Sequence, residues 1–494
     1  MTGGPAEPAR PAALARPAVL RPLLDLVLTA IEAGTAHRGG PLPPGGPGPI
    51  ADRTRLALSV RDDPDALLRL TEFLAYGTAD PADPACAAHL HCPPLALAVA
   101  ADLAVSALNP SLDSWDQAPA ATGLETALIA ELAELVGFDP APAAGVLTTG
   151  GTESNLMGLL LARDRVLGGE VGLDGLPPGV RPVILASEAA HFSVQRAAAL
   201  LGLGERAVRT VRADRELRMD PDALAAELRA AVRAGQRPIA VVATAGTTDT
   251  GAVDPLHPAA ELAAEYGAWL HVDAAYGGGA LLSDRLAPLL DGIARADSVS
   301  LDWHKFGWQP AAAGVFLVRR AESYGSLARR AAYLNPADDE RAGYPSLLGR
   351  SLRTTRRADA FKLLVTLRTL GRAGLGVLVD ACHELALATA ESVRQADELE
   401  LHCPPVLSTV VFRYRPAGAG PEELDRLNAG LRRALLRSGR AVVGRTELPG
   451  RGPGRIRLKL TLLNPHSTPA DTRALLAAVL AAGQRVRDRG GEEQ

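Results

Sequence analysis

Residues 269–305 read WLHVDAAYGGGALLSDRLAPLLDGIARADSVSLDWHK, and this stretch decides the fold. It begins and ends with short apolar runs, WLHVD (269–273) and SVSLD (298–302), which are typical of buried strands. The first run ends in Asp273, and the second ends in Asp302 and is followed closely by Lys305. These side chains therefore fall at the carboxyl ends of predicted strands, where open α/β sheets bind their ligands.

The same pattern extends over residues 120–320. Further strand candidates are VILAS (183–187), AVVAT (240–244) and GVFLV (314–318), and residues 221–234 and 257–266 are predicted helices. An order of strand, helix and strand predicts an α/β fold with a largely parallel sheet that is covered on both faces.

The chain divides into three predicted parts. Residues 1–105 form an N-terminal arm, in which apolar residues at helical spacing over 17–37 predict an amphipathic helix that the run PLPPGGPGP (41–49) ends. Such a helix either caps the core of a monomer or serves as a dimerisation arm, and both remain open. Residues 106–375 form a large domain, and residues 376–494 a small C-terminal α+β domain.

Composition narrows the possible partners. A chain of 494 residues with a formal charge of -4 and 22% charged residues gives no indication of nucleic-acid or anionic-membrane binding. Four cysteines without CxxC spacing argue against a disulfide framework or a metal site and favour a reducing cytoplasm. No signal peptide or membrane span is predicted, because residues 1–20 lack a continuous apolar core and Asp102 interrupts the apolar run 95–108. We therefore expect a small-molecule partner.

The stretch LTTGGTESN (147–155) is the first that suggests chemistry. Gly150 and Gly151 allow a close approach of the backbone to an anion, and the helix that follows offers free N–H groups and the positive end of its dipole. This combination suggests a phosphate cradle. Taken alone, the stretch fits an ordinary turn followed by a helix cap better than a phosphate cradle.

Asp273, Lys305 and His191 are the other residues that suggest chemistry. A carboxylate at the end of a buried strand needs a cation or several donors, and a protonated pyridine nitrogen is one such cation; the alternative is an aspartate that caps the next helix. Lys305 follows Asp273 by 305 - 273 = 32 residues, and its apolar neighbours in LDWHKFGWQP would desolvate the amine and favour attack on an aldehyde. His191, in AAHFSVQRAAALLG, would lie at the same rim unless it is only a surface residue.

In this order, the motifs resemble those of the group II pyridoxal 5'-phosphate (PLP) dependent decarboxylases of fold type I. That family includes aromatic-amino-acid, glutamate, diaminobutyrate and siderophore-type lysine decarboxylases. The motifs are HLHCPP, SWDQAPAATGLE, TTGGTESNL, HFSVQRA, TAGTTDTGAVDPL, HVDAAYGGG, DWHK, YLNP, TTRRADAFK and TLRTLG, between residues 89 and 371. The resemblance implies a seven-stranded, mostly parallel sheet, a carboxy-lyase that releases CO2 from an L-amino acid, and a homodimer with swapped N-terminal helices and the active site at the subunit interface.

The resemblance also implies residue roles. Lys305 would hold PLP as a Schiff base, Asp273 would pair with its ring nitrogen, and His191 would stack over the ring. The remaining expected cofactor contacts are Ala275 on the opposite ring face, Thr244 at the phenol oxygen, and Gly150, Gly151, Thr152 and His304 at the phosphate. The expected wall facing the substrate consists of His89, His91, Cys92 and Asp116.

The resemblance favours a diamino-acid substrate of the 2,4-diaminobutyrate, ornithine or lysine type. The distal ammonium of such a substrate would need a carboxylate, and the candidates are Asp113, Asp116, Asp338 and Asp339, although surface acids are commonly only solvated. Ala358 and Leu364 stand where aromatic residues are expected, which leaves a non-basic substrate open.

The reaction also has alternatives. Tyr344 lies in the segment where some relatives carry a loop tyrosine that protonates the carbanion, and it is otherwise an exposed loop residue. Without that donor, the same scaffold is associated with oxidative decarboxylation to an aldehyde. An aromatic-amino-acid decarboxylase, a transaminase and a cysteine desulfurase also remain, whereas the set of Asp273, Lys305 and His191 argues against a non-catalytic binding protein.

Overall fold

The structure of the chain, a computed structural model, describes residues 13–168, 170–328 and 331–492. Its strands are β1 Cys86–Ala87, β2 Ala144–Thr148, β3 Pro182–Ser187, β4 Val208–Val211, β5 Arg237–Thr244, β6 Trp269–Ala274, β7 Ser298–Asp302, β8 Gly314–Val318, β9 Leu399–Leu401, β10 Thr409–Tyr414, β11 Val442–Glu447 and β12 Ile456–Thr461. Its α-helices are α1 Pro17–Arg38, α2 Pro47–Ala57, α3 Ala66–Gly77, α4 Ala96–Leu108, α5 Pro119–Leu135, α6 Gly151–Leu167, α7 Val171–Asp174, α8 Ser193–Leu200, α9 Pro221–Arg233, α10 Leu256–Glu265, α11 Ala337–Arg341, α12 Ala360–Arg394, α13 Pro421–Ser438 and α14 Pro469–Glu492.

The central sheet has seven strands in the order β2-β8-β7-β6-β5-β3-β4. Strand β8 is antiparallel to both of its neighbours, whereas the strands from β7 to β4 run parallel. The predicted seven-stranded, mostly parallel α/β sheet is therefore confirmed, and each strand run quoted above lies within it. Strand β4 was not predicted, because it is a partly exposed edge strand with the sequence VRTV and lacks a continuous apolar run.

Alternation along the strands divides the apolar side chains between the two faces of this sheet. Val241 and Val272 point into a core that α5, α9, α10 and α12 cover. Ala240 and Val242 point into the opposite core, which α6 and α8 cover. Because both faces are covered, the strands carry few polar residues except at the ends where the parallel strands finish.

A second sheet of five strands, β1-β11-β12-β10-β9, packs with α13 and α14 around a separate core. Its first strand, β1, belongs to the predicted N-terminal arm and pairs in parallel with β11. Helix α12 crosses the predicted boundary at residue 375 and is interrupted at Gly371, whose φ is 67°. The three domain ranges remain predictions.

Helix α12 is the described helix that is long and apolar enough, by length and composition, to cross a membrane. Half of its most apolar window is buried inside the protein, and Leu363, Leu375 and Val379 are fully buried in the core. This pattern is typical of a core helix.

A buried ion pair joins α5 to the segment before α12. Nη1 of Arg356 lies 2.7 and 2.9 Å from the two carboxylate oxygens of Glu125, and both side chains are 1% exposed. We expect Arg356→Met to lower the free energy of unfolding by about 3–5 kcal/mol, because it leaves Glu125 as an unpaired buried charge. Urea unfolding measures this change.

Arg368→Met is the matched control, since it removes the exposed pair of Arg368 with Glu131 and should leave the stability nearly unchanged. Equal losses of stability in the two variants would contradict the prediction.

Candidate active site

A cavity of about 290 Å³ lies where β5, β6 and β7 end and α6 begins. The lining residues are Thr149, Gly150, Gly151, Thr152, Asn155, His191, Thr244, Gly246, Thr248, Asp273, Ala275, Tyr276, Asp302, His304 and Lys305. The cavity thus brings together every residue that the resemblance assigned to the cofactor.

Lys305 is paired with Asp302 at the end of β7. Its Nζ lies 2.9 Å from Oδ2 of Asp302, and Nε2 of His304 lies 3.5 Å from the same oxygen. Burial lowers the pKa of His304, although the carboxylate of Asp302 opposes this shift. Sequence reasoning named the run from Asp302 to Lys305 without a role for Asp302, because nothing in the local pattern shows which way its carboxylate turns.

Asp273 is buried and is held by three donors. Nδ2 of Asn155 donates to Oδ2 at 2.8 Å, and the backbone N–H of Ala275 donates to Oδ1 at 3.1 Å. The hydroxyl of Ser300 lies 3.2 Å from Oδ1. Both oxygens of the buried carboxylate thus have hydrogen-bonding partners. Sequence reasoning did not identify Asn155, which lies in the quoted TTGGTESN motif.

His191 lies just before α8 and lines the cavity. Its Nδ1 is 2.9 Å from the hydroxyl oxygen of Ser193. Burial lowers the pKa of His191, and the nearby Asp273 only partly opposes this shift. This shift favours the neutral form of the imidazole.

The start of α6 has the features of an anion site. Among the described residues, no side chain caps this helix, so its first N–H groups face the cavity without a side-chain acceptor. A Cβ atom at Gly151 would lie 2.9 Å from Cβ of Ala275 and 3.3 Å from Oδ2 of Asp302. The hydroxyl of Thr244 is buried and has no hydrogen-bond partner in the described part of the chain. An amine, a carboxylate, an unpaired hydroxyl and an open helix start fit the groups of PLP.

The model of the pyridoxal-dependent decarboxylase conserved domain matches residues 50–415. The chain belongs to this family. It is 47% identical over 396 residues to the L-2,4-diaminobutyrate decarboxylase of Rhizobium meliloti (strain 1021). This match covers 80% of this chain and 77% of the relative. It is 39% identical over 436 residues to the L-2,4-diaminobutyrate decarboxylase of Acinetobacter baumannii, covering 86% and 84% of the two chains.

Two solved structures are also similar to this chain over nearly its whole length. The glutamate decarboxylase domain of diaminobutyrate-pyruvate transaminase and L-2,4-diaminobutyrate decarboxylase from Vibrio parahaemolyticus is 33% identical, with a TM-score of 0.83 over 94% of this chain and 96% of that chain. The Oryza sativa TDC crystallised with PLP and tryptamine is 27% identical, with a TM-score of 0.86 over 97% and 99%. The protein is a PLP-dependent amino-acid decarboxylase, and its substrate is a small molecule.

The predicted substrate wall of the decarboxylase does not line the Lys305 cavity. His89 and His91 are exposed, and burial raises the pKa of the Cys92 thiol to about 12. The thiol donates to the backbone oxygen of His304 at 3.2 Å, so Cys92 lies behind the Lys305 turn.

Asp116 and Tyr344 line a separate cavity of about 420 Å³. Trp115 and Asp339 also line this cavity, and the rings of Trp115 and Tyr344 meet edge to face at 5.1 Å. The two cavities share none of their described lining residues. Within one chain, the structure therefore does not bring Asp116 and Tyr344 into the wall of the Lys305 cavity.

We expect Gly151→Ala to weaken PLP binding by about 10-fold or more, because the new methyl group would crowd Ala275 and Asp302 in the cradle. A titration of the apo-decarboxylase with PLP, followed by absorbance, measures the dissociation constant.

Gly123→Ala on α5 is the matched control, because a Cβ atom there meets nothing within 4 Å. The prediction is wrong if both variants bind PLP as tightly as the unsubstituted protein.

Proposed function

We propose that the decarboxylase removes the α-carboxyl group of an L-diamino acid of the 2,4-diaminobutyrate, ornithine or lysine type as CO2, in the cytoplasm. The observation that supports this substrate class is the similarity to two L-2,4-diaminobutyrate decarboxylases over 80% and 86% of the chain. The cytoplasmic location is consistent with four free cysteines, of which Cys92 and Cys382 are buried.

We propose that Lys305 carries the cofactor, that Asp273 pairs with its ring nitrogen, and that His191 and Ala275 contact its two faces. When bound, PLP supplies a conjugated electron sink for the electrons that the departing CO2 leaves behind. Asp273, held by its three donors, keeps the partner nitrogen protonated. Nζ of Lys305 lies 2.9 Å from Oδ2 of Asp302, so Asp302 would balance the charge of this amine when it holds a proton.

The lining of the same cavity supports a proposal for the contacts of the phosphate and the phenol oxygen. We propose that Gly150, Gly151, Thr152 and His304 hold the phosphate and that the unpaired hydroxyl of Thr244 binds the phenol oxygen. The carboxylate of Asp254 accepts the backbone N–H of Thr244 at 2.7 Å and thereby orients this residue.

We propose a homodimer in which the Asp116 cavity of one subunit completes the Lys305 cavity of the other. Helices α1 and α3 pack against each other and leave leucines exposed on their outer side, with Leu28 at 60% and Leu74 at 67%, as a swapped arm would require. In such a dimer, Asp116 would bind the distal ammonium of the substrate and Tyr344 would supply the proton. His89 and His91, which are exposed in one chain, would lie near this junction.

The first test maps the cofactor attachment. The chain contains Lys305, Lys362 and Lys459 as its only lysines, and of these three Lys305 alone lines the cavity. We expect borohydride reduction of the PLP-loaded protein to label Lys305 alone, as read by peptide mass spectrometry. The unsubstituted protein should release CO2 and the corresponding amine from diamino acids, and Lys305→Ala should lose both the label and the activity.

Lys459→Arg is the control that keeps the label. A label on Lys362 or Lys459, or a preference for glutamate or tryptophan in the CO2 assay, would contradict the proposal. Release of an aldehyde with ammonia would favour the oxidative alternative.

The second test addresses Asp116. We expect Asp116→Asn to raise the KM for diamino acids by about 10-fold, the effect of losing about 1.4 kcal/mol of binding, with a smaller change in kcat. Asp113→Asn is the control, because Asp113 does not line the Asp116 cavity and both oxygens of its carboxylate accept hydrogen bonds, from Ser111 and Thr355.

Subunit mixing then tests the shared site. A mixture of inactive Lys305→Ala with Asp116→Ala should form heterodimers that contain one complete site and regain activity at low diamino-acid concentration. If a mixture that is shown to form heterodimers regains no activity, Lys305 and Asp116 belong to the site of the same subunit.

A further inference from the structure

Behind the cavity, a chain of buried hydrogen bonds connects Trp269 with Asp273. Nε1 of Trp269 donates to the hydroxyl oxygen of Ser298 at 2.8 Å, and that hydroxyl lies 2.8 Å from Nδ1 of His271. Nε2 of His271 lies 2.9 Å from Oδ1 of Asn155, whose Nδ2 donates to Asp273 at 2.8 Å. We call these five residues the Trp269 chain.

The direction of each bond follows from the two ends of the Trp269 chain. An ionised Asp273 only accepts, so the amide nitrogen of Asn155 must face it and the amide oxygen must face His271. That oxygen only accepts, so Nε2 of His271 carries the proton. Burial lowers the pKa of His271 to about 4, which leaves the ring neutral and Nδ1 free to accept from Ser298. Ser298 in turn accepts from Trp269, which can only donate.

Asn155 also connects the hydrogen bonds of the Trp269 chain to His191. Its Nδ2 lies 2.9 Å from the hydroxyl oxygen of Ser193, which lies 2.9 Å from Nδ1 of His191. The backbone N–H of Ser193 donates to the same Nδ1 at 3.3 Å. Two donors therefore face Nδ1 of His191, and a neutral ring must then carry its proton on Nε2.

All four hydrogen-bonding positions of Asn155 are filled. Its oxygen accepts from His271 and shares the single hydroxyl proton of Ser300 with Oδ1 of Asp273, and its nitrogen donates to Asp273 and Ser193. The residue is 1% exposed, so no solvent competes for these positions. An asparagine with this set of partners has one orientation and fixes the orientation of each partner.

Close packing leaves little freedom to the ring of His271. A Cβ atom at Gly158 of α6 would lie 2.6 Å from Nδ1 of His271, so the helix passes directly over the imidazole. The ring is fully buried. His271 therefore cannot rotate to break its bond to Asn155 without moving α6.

We propose that Asn155 is a positioning residue that fixes both ring-binding groups at once: it keeps Asp273 as an acceptor and, through Ser193, holds His191 with its proton on Nε2. His191 then presents an N–H donor to the cavity instead of accepting a proton. This inference rests on the proposed cofactor contacts of Asp273 and His191.

The direct test reads the tautomer of His191 in the holoenzyme. Protein labelled with 15N-histidine reports which ring nitrogen carries the proton through its chemical shifts and two-bond couplings, and the spectrum of His191→Gln assigns the signal. We expect protonation at Nε2 in the unsubstituted protein and a partial shift toward the Nδ1 tautomer in Ser193→Ala, where only the longer backbone N–H contact of 3.3 Å still faces Nδ1. Ser392→Ala on α12, which removes a helix-surface hydroxyl bond, should leave the signal unchanged.

A proton on Nδ1 of His191 in the unsubstituted holoenzyme at neutral pH would overturn the inference. This measurement needs no turnover, so it is separate from the proposed substrate class. A protein that shows the expected tautomer and yet releases no CO2 from any diamino acid would overturn the proposed function alone.

A second test separates hydrogen bonding from packing. Glutamine at position 271 can still donate to Asn155 and accept from Ser298, whereas leucine can do neither. We expect His271→Leu to raise the dissociation constant of PLP by about 10-fold or more, the effect of leaving one buried group unpaired, and His271→Gln to remain close to the unsubstituted protein.

The matched pair is His383→Leu and His383→Gln on α12, where the buried imidazole donates to the backbone oxygen of Leu407 at 2.7 Å. Neither of these should change PLP binding. If His271→Gln weakens PLP binding as much as His271→Leu, at equal unfolding midpoints, the ring acts only by packing and the proposal is wrong.

Discussion

The carboxylate of Asp273, 6% exposed at the end of an apolar strand, is the constraint around which the active site is built. An unpaired charge in such a place costs several kcal/mol, so the fold must supply donors or a cation. The register of the parallel strands supplies the first neighbours, because Asp273 on β6 lies beside Thr244 on β5 and Ser300 on β7. The remaining donors come from Ala275, just after the strand, and from Asn155 on α6. A cofactor that brings a cationic ring nitrogen to this point stabilises the charge further.

A cofactor with a phosphate group also requires an anion site near Asp273. The position of α6 provides this site. Small residues let the helix approach the sheet, since Gly151 meets Ala275 and Gly158 meets His271. The same approach brings the open helix start to the cavity and inserts Asn155 between Asp273 and His191. One helix therefore provides both the proposed phosphate contact and the hydrogen bonds that orient the ring contacts.

The second sheet also supports the cavity, although it contributes no residue to its lining. Lys459 on β12 donates to the backbone oxygen of Thr248 and to Asp249, and Thr248 lines the cavity. The hydroxyl of Tyr276, another lining residue, lies 2.9 Å from the hydroxyls of Ser408 and Thr409. The Tyr276 contacts are buried and the Lys459 contacts are partly buried, so the C-terminal part of the chain supports two sides of the cavity.

The resemblance of its motifs predicted the family, the cofactor and the seven strands of the sheet. The sequence pattern by itself determined the α/β class and the group of side chains at the strand ends. These features are local: an apolar run predicts a strand, and a charged residue at its end predicts a position at the rim. Only the tertiary structure decided the pairing of Asp302 with Lys305, the place of Cys92 behind it and the separation of Asp116 and Tyr344 from the Lys305 cavity. It also revealed Asn155, which lies 118 residues from Asp273 in the chain. Such contacts depend on side-chain direction and on how a helix packs across strands, and no local pattern carries that information.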